Sequence, residues 1–120
     1  YFYALSQDED GNIFIAGAAD GFFEFGVSEV THSGESDAIY GKMEADLNPL
    51  WMKSIGGADF DFANEITVDV DDNIIISGSH EGMFEEDSYF FDNYGYSDIF
   101  VVKTDANGFI VWEVLKVMVI

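Results

Sequence analysis

The fold is decided by residues 69–112, which read DVDDNIIISGSHEGMFEEDSYFFDNYGYSDIFVVKTDANGFIVW. An earlier version of the same pattern starts 61 positions upstream, without a gap. The identities fall at turn residues and apolar positions, in the pairs Asp8/Asp69, Asp10/Asp71, Asn12/Asn73, Ile13/Ile74, Ile15/Ile76, Gly17/Gly78, Gly21/Gly82, Phe23/Phe84, Glu24/Glu85, Gly34/Gly95, Ser36/Ser97, Asp37/Asp98, Lys42/Lys103, Ala45/Ala106 and Trp51/Trp112. Matches of this kind indicate two copies of one structural unit. We therefore predict one continuous repeat domain, with a first unit at residues 1–61 and a second unit at residues 62–120.

The composition predicts an all-β chain. Apolar residues make up 48% of the sequence and aromatic residues 17%, which is too much for a disordered segment. Glycine is frequent, Pro49 is the single proline, and long segments with apolar residues at helical spacing are missing. Four strands are predicted in each unit, at Phe2–Gln7, Asn12–Ala18, Asp37–Met43 and Leu50–Ile55, and then at Glu65–Val70, Asn73–Ser79, Asp98–Thr104 and Phe109–Val117.

The segments between these strands differ in character. Asn107-Gly108 is the strongest short hairpin signal in the chain, because both residues tolerate positive φ. Residues 19–36 and 80–97 are polar excursions, and each is predicted to form a long connection or an extra hairpin around Phe23 or Phe84. The apolar run at residues 74–76 predicts a strand covered on both faces.

Four antiparallel strands, repeated with a fixed turn pattern, are typical of a β-propeller blade. A single blade cannot bury both of its faces, so it needs neighbours. The predicted fold is therefore two four-stranded antiparallel propeller blades, belonging to a partial propeller or to one completed by further copies of the chain. The alternative is a small eight-stranded barrel or sandwich.

Several motifs resemble the bacterial SBBP-type β-propeller repeat. They are the hairpin from Asp69 to Gly78, the strand from Ser97 to Lys103 and the turn from Asp105 to Gly108, followed by Trp112. The first unit fits with Asp10-Gly11-Asn12-Ile13, Phe25-Gly26, the run from Asp37 to Lys42, Trp51 and Gly56-Gly57. The second unit departs at Glu85-Glu86-Asp87 and lacks the closing glycine pair. The resemblance implies a repeat module of secreted or cell-surface bacterial proteins, and it brings no catalytic residue set with it.

The charge excludes some partners. Acidic residues number 24 against four lysines, for a net charge of −20, so a nucleic-acid partner is excluded and binding to anionic lipid is disfavoured. No apolar run approaches the ~18 residues of a membrane-spanning helix, and there is no cysteine for a disulfide or a thiolate metal site. The chain begins at Tyr1 without a signal peptide, which predicts a fragment or a processed piece of a secreted or cell-surface protein.

Calcium is the only cofactor that the sequence suggests. The candidate ligands lie in two equivalent turns and are Asp8, Asp10, Asp69, Asp71 and Asn73. Their spacing matches the start of a calcium loop, but Ile74 replaces the glycine at the sixth position and His80 stands at the twelfth. The alternative is a pair of hairpin turns in which aspartate accepts backbone N–H bonds.

An aromatic run in the second excursion is the candidate ligand-binding surface. It comprises Tyr89, Phe90, Tyr94 and Tyr96. Exposed aromatic rings beside carboxylates stack on sugars or contact protein partners. The alternative is that these rings cover the outer edge of the sheet.

The sequence predicts a non-catalytic structural or binding module, in contact with protein, carbohydrate or further propeller blades. Asp37, Asp98, Lys42 and Lys103 recur at offset 61, as fold-specifying residues do, and the tryptophan pair is predicted to pack between blades. His32 and His80 are not equivalent and make no zinc site. The alternative functions are a calcium-stabilised repeat and a carbohydrate-active enzyme with a carboxylate pair drawn from Asp20, Glu24, Glu81 and Glu85.

Overall fold

The computed structural model describes residues 2–21, 23–26, 28–30, 35–57, 59–86, 89–91 and 98–117. These residues form twelve strands: β1 (Phe2–Gln7), β2 (Ile13–Ala19), β3 (Phe23–Phe25), β4 (Ser28–Val30), β5 (Asp37–Met43), β6 (Pro49–Ile55), β7 (Asp61–Val68), β8 (Ile74–His80), β9 (Phe84–Glu86), β10 (Tyr89–Phe91), β11 (Asp98–Thr104) and β12 (Ile110–Val117). The described part contains no helix, and so none of the length and apolarity needed to cross a bilayer.

The strands form two four-stranded antiparallel sheets, which confirms the all-β prediction. The first sheet has the order β1-β2-β5-β6 and the second has the order β7-β8-β11-β12. The two polar excursions each contain a short hairpin, β3-β4 and β9-β10. The two four-stranded sheets are separate, so the described strands do not close into a barrel.

The two units agree residue by residue at the offset of 61. Every strand from β2 to β6 starts 61 positions before its counterpart. The irregularities of the ladders repeat as well. The β1–β2 pairing shifts between Phe2 and Ala4, as the β7–β8 pairing does between Ala63 and Glu65. The pairing of β5 with β6 shifts after Lys42, at the position equivalent to the shift between β11 and β12.

Turn geometry repeats even where the residue type changes. Gly11 has φ +86° and its counterpart Asp72 has φ +64°. Leu47 has φ +71° where Gly108 has φ +88°. The hairpins therefore require the left-handed backbone conformation at these positions. Glycine adopts this conformation freely, and leucine adopts it only with strain.

Strand β7 differs from the prediction. It begins at Asp61, one residue before the predicted unit boundary and four before the predicted strand start at Glu65. The cause is tertiary, because Ser36 anchors the connection. The Asp61 amide donates to the Ser36 carbonyl oxygen at 2.8 Å, and Ser36 forms a parallel bridge with Phe60.

The main hydrophobic core lies between the two sheets. The second sheet approaches the first through its edge strand β7, which packs against β1, β2 and β5. The buried core residues are Phe14, Ala16, Ala38, Tyr40 and Ile55 from the first unit, and Ala63, Ile66, Ile74, Ile76, Phe91, Phe100, Val102 and Ile110 from the second. A smaller cluster on the opposite face of the first sheet contains Ile15, Ile39 and Met52, with Phe25 of β3 packed against it.

Candidate functional site

Four titratable side chains are fully buried at one end of the two sheets. Asp37, Asp61 and Asp98 begin β5, β7 and β11, and His80 ends β8. His80 pairs in register with Asp61 on one side and with Asp98 on the other, because β8 lies between β7 and β11. Residues paired in this way project from the same face of a sheet, so the three side chains form a row.

Asp37 and Asp61 bring their carboxylates together at the junction of the units. Both adjoin Gly56, where a Cβ atom would lie 2.7 Å from Asp61 Oδ2 and closer still to Asp37 Oδ1. Asp61 is held by two backbone amides, since Gly57 donates to Oδ2 at 3.0 Å and Glu81 donates to Oδ1 at 3.3 Å. Glycine at position 56 is thus required for this carboxylate pair to form.

Burial controls the ionisation of this group. The pKa of Asp61 is raised to about 7, mainly by burial and also by the charges of Asp37 and Asp59, while the two backbone amides act to lower it. Burial also lowers the pKa of His80, against an opposing hydrogen bond to Gly82 and the charge of Asp98. His80 Nδ1 lies 3.0 Å from the Gly82 carbonyl oxygen, which can only accept, so Nδ1 carries the proton.

The carboxylate pair is enclosed by protein. Asp37 and Asp61 have no more than 1% of their surface exposed, so a substrate cannot reach them in this conformation. Because Asp37 begins β5 and Asp61 begins β7, this position suits a structural role that holds the first sheet against the start of β7. Sequence comparison between the units could not reveal Asp61, because its counterpart 61 positions later lies beyond Ile120.

The two predicted calcium turns are both built around an aspartate that accepts backbone N–H groups. Asp8 Oδ1 accepts from the amides of Asp10 and Asn12 at 3.0 and 2.9 Å. Asp69 Oδ1 accepts from Asp71 and Asn73 at 2.8 and 3.0 Å. In each turn the asparagine amide also donates to the second carboxylate oxygen. These are the contacts of the hairpin-turn alternative.

The turns lie side by side, and together they line an acidic hollow of about 230 Å³. Asp69 is the more heavily bound of the two aspartates, because Lys103 Nζ lies 3.2 Å from its Oδ2. Hydrogen bonds from Asn73 and Asp71, together with Lys103, lower the pKa of Asp69. For Asp8, burial acts to raise the pKa, but hydrogen bonds from Asn12 and Asp10 lower it overall. Within the described ranges, no group of three or more potential ligands has the geometry of a metal site.

The candidate aromatic surface is only partly described. The Tyr89 hydroxyl donates to the Val111 carbonyl oxygen at 2.6 Å, and this ring packs against the main core. The Phe90 side chain, Tyr94 and Tyr96 lie outside the described residues. Neighbouring Phe91, which was not among the predicted site residues, is buried with its ring 5.9 Å from those of His80 and Phe100. Tyr89 therefore contributes to the fold.

Three of the four carboxylates predicted for an enzyme belong to described side chains. Asp20 and Glu24 are exposed, Glu81 is half-buried, and the Glu85 side chain lies outside the description. The glutamate at position 81 uses its backbone, not its carboxylate, to contact Asp61.

The recurring lysines and Trp51 occupy structural positions. Lys103 forms the ion pair with Asp69, and Lys42 lies over the Phe14 ring at 5.4 Å. Trp51 packs edge-on against Tyr40 with ring centroids 5.9 Å apart, and its ring adjoins Gly108 of the second unit.

No family model matches the chain, and no curated protein matches it either.

Proposed function

We propose that this chain is a pair of neighbouring β-propeller blades of the SBBP type, acting as a non-catalytic structural or binding module of a secreted or cell-surface bacterial protein. One observation carries the proposal. The second unit covers one face of the first sheet. The equivalent face of the second sheet, 61 positions later in the sequence, is uncovered.

The residues of this face change from buried to accessible between the units. Phe14 and Tyr40 have at most 2% of their surface exposed against the second unit. Their counterparts Ile75 and Val101 are only half-buried, and Ile99, the counterpart of fully buried Ala38, is 38% exposed. A third unit on the second sheet would bury these side chains as the second unit buries those of the first.

The tryptophan pair follows the same rule. Trp51 packs against the Gly108 turn of the next unit, whereas Trp112, its counterpart, is 37% exposed. In the proposed assembly the equivalent turn of a further unit lies against Trp112. Aromatic side chains bury large areas, so this contact would stabilise the interface substantially.

The first unit presents the complementary surface. In the second unit, Ile66 is buried in the core between the sheets. Its counterpart in β1, Leu5, is 73% exposed, and Phe2, the counterpart of buried Ala63, is exposed as well. In one chain, the uncovered face of the second sheet is the face that a following unit would cover. In another chain, the exposed surface of β1 is the surface that would pack against a preceding unit. The two surfaces are therefore complementary. Such a head-to-tail interface builds a ring when its rotation closes.

Light scattering tests the proposal. We expect self-association, with closed rings of two to four chains of 13.4 kDa, because propellers close with about 4–8 blades. Ile99→Lys should abolish this association, whereas Met83→Lys should preserve it, because Met83 is 62% exposed and lies beyond the end of β8, outside the four-stranded sheet. A wild-type chain that stays a folded monomer at every concentration would contradict the proposal.

A further inference from the structure

A second hollow, of about 190 Å³, lies at the seam between the two units. Its walls come from strand β1, the end of β2, the segment before β5 and the start of β7. The lining residues are Tyr3, Ala18, Asp20, Glu35, Ser36, Phe60 and Phe62.

Hydrogen bonds fix the floor of this hollow. The Ser36 amide donates to the Asp59 carbonyl oxygen at 3.4 Å, and the Asp61 amide donates to the Ser36 carbonyl oxygen at 2.8 Å. The Ser36 hydroxyl adds a bond to the Asp61 carbonyl oxygen at 3.3 Å. Phe60 is therefore held in place although 45% of its surface is exposed. A preorganised wall of this kind lowers the entropy cost of binding.

The lining combines aromatic rings with carboxylates. Tyr3 is 52% exposed and stands near Phe60 and half-buried Phe62 in the lining, with the carboxylates of Asp20 and Glu35 alongside. Aromatic faces and anionic groups together attract an organic cation, the first through the ring quadrupole and the second by Coulomb interaction. The ion pair between Lys103 and Asp69 lies at the end of β7 opposite to Phe62.

The same chemistry already operates inside the protein. Lys53 Nζ lies 4.0 Å from the centre of the Phe109 ring, and Lys42 Nζ lies 5.4 Å from that of Phe14. The chain thus places its own cations on aromatic faces, and the seam combines such faces with carboxylates.

The lining recurs only in part in the second unit. At offset 61, Tyr3 corresponds to Asn64, Ala18 to Ser79 and Glu35 to Tyr96, while Ser36 recurs as Ser97 and the acidic character of Asp20 is kept by Glu81. Residues that specify the fold repeat in this chain, as the turn residues do. Tyr3, an aromatic residue that does not repeat, has a different reason to be present.

We infer that the seam hollow binds an organic cation, of the quaternary-ammonium or alkylammonium class. The inference goes beyond the proposed function and does not depend on it, because every lining residue belongs to one chain. The net charge of −20 concentrates cations around the whole molecule, and the hollow adds a specific place for one.

Titration with choline, followed by NMR at about 150 mM salt, tests the inference. We expect shifts confined to the seam residues. The neutral isostere 3,3-dimethylbutan-1-ol should bind at least about fivefold more weakly, because it keeps the shape and loses the charge. Phe60→Leu and Asp20→Asn should each weaken choline binding by about threefold to tenfold.

Two matched variants control for general effects. Phe109→Leu removes an exposed aromatic ring elsewhere, and Glu9→Gln removes an exposed carboxylate away from the seam. Both should leave choline binding unchanged. If Phe60→Leu fails to fold, Asp20→Asn and Glu35→Gln carry the test.

Three results would overturn the inference. The first is equal binding of choline and its neutral isostere. The second is a Glu9→Gln variant that loses as much affinity as Asp20→Asn, which would indicate diffuse attraction by net charge. The third is a neutral sugar, such as N-acetylglucosamine, that shifts the seam resonances at lower concentration than choline.

Discussion

The Tyr40 hydroxyl of the first unit donates a 2.6 Å hydrogen bond to the Gly108 carbonyl oxygen of the second, and the tyrosine side chain is fully buried. It joins strand β5 to the hairpin between β11 and β12, 68 residues later. The contact therefore links the two units through polar chemistry as well as through the apolar core.

Tyr40→Phe should lower the free energy of unfolding by about 1–3 kcal/mol, because the buried carbonyl oxygen loses its donor while the ring packing remains. The matched variant is Tyr89→Phe, which removes a hydrogen bond of the same 2.6 Å length to Val111 at an exposed site. Urea denaturation of both variants measures the difference. Equal losses would mean that the inter-unit bond adds nothing beyond an exposed one.

Leu47 and Gly108 occupy equivalent left-handed positions, so substitutions there should have opposite signs. Leu47→Gly should stabilise the protein by about 1 kcal/mol, because Leu47 is exposed and strained at φ +71°. Gly108→Ala should destabilise it, because φ is +88° and the added Cβ would meet the Trp51 ring at 2.8 Å. Thermal unfolding of the two variants checks the signs, and a destabilised Leu47→Gly variant would show that the leucine side chain contributes packing.

The buried row of Asp61 and His80 predicts a pH dependence of stability with two opposing parts. The folded-state pKa of Asp61 is raised from 3.8 to about 7, so its contribution to stability falls as pH rises through that interval. The pKa of His80 is lowered from 6.5, so its contribution falls as pH drops below 6.5. The two effects oppose each other below pH 6.5, and Asp61 acts alone just above it.

Asp61→Asn should remove the decline above pH 6.5 and leave a stability that rises with pH below 6.5. The result that matters is the slope of the free energy of unfolding against pH, not its absolute value. Asparagine also loses one of the two amide hydrogen bonds, which lowers the stability at every pH. Glu9→Gln, at an exposed carboxylate, should keep the wild-type profile. Denaturation at a series of pH values from 5 to 8 is the measurement. If the stability of Asp61→Asn changes with pH in parallel with that of the wild type, Asp61 does not contribute to the pH dependence.

Calcium should raise the melting temperature no more than magnesium at the same ionic strength. The carboxylates of Asp8 and Asp69 are already bound by backbone and asparagine N–H groups, and a calcium ion would compete with Lys103 for Asp69. A calcium-specific rise that Asp71→Asn abolishes would instead establish the calcium-stabilised repeat, because Asp71 is exposed and its carboxylate is a candidate ligand.

Much of the fold could be predicted from local sequence. The strands Asp37–Met43 and Asp98–Thr104 have their predicted bounds, because turn residues flank both. The start of β7 was missed, since it depends on Ser36, which is distant in sequence. The run at 74–76 was predicted to be covered on both faces, but Ile75 is only half-buried where the sheet lacks a neighbour.

The sites were harder to predict than the strands. Internal repetition identified Asp8 and Asp69 as turn residues, and both accept the predicted backbone bonds. It could not identify Asp61, whose counterpart lies outside the chain, or the seam hollow. Phe62 reaches that hollow from the start of β7 and Phe60 from the residue before this strand, beside Tyr3 from the other end of the first unit. Only the packing of β7 on the first sheet brings these residues together.

The most direct test of the proposed blade interface is disulfide trapping between two single-cysteine variants, since the natural chain contains no cysteine. Leu5→Cys and Ile99→Cys, mixed under mild oxidation, should give a cross-linked pair, because the surfaces that carry them are complementary in the proposed assembly. Leu5→Cys mixed with Met83→Cys should give little, because exposed Met83 lies outside the four-stranded sheet. A Leu5–Ile99 yield no higher than the Leu5–Met83 yield would contradict the claim that these two uncovered faces meet.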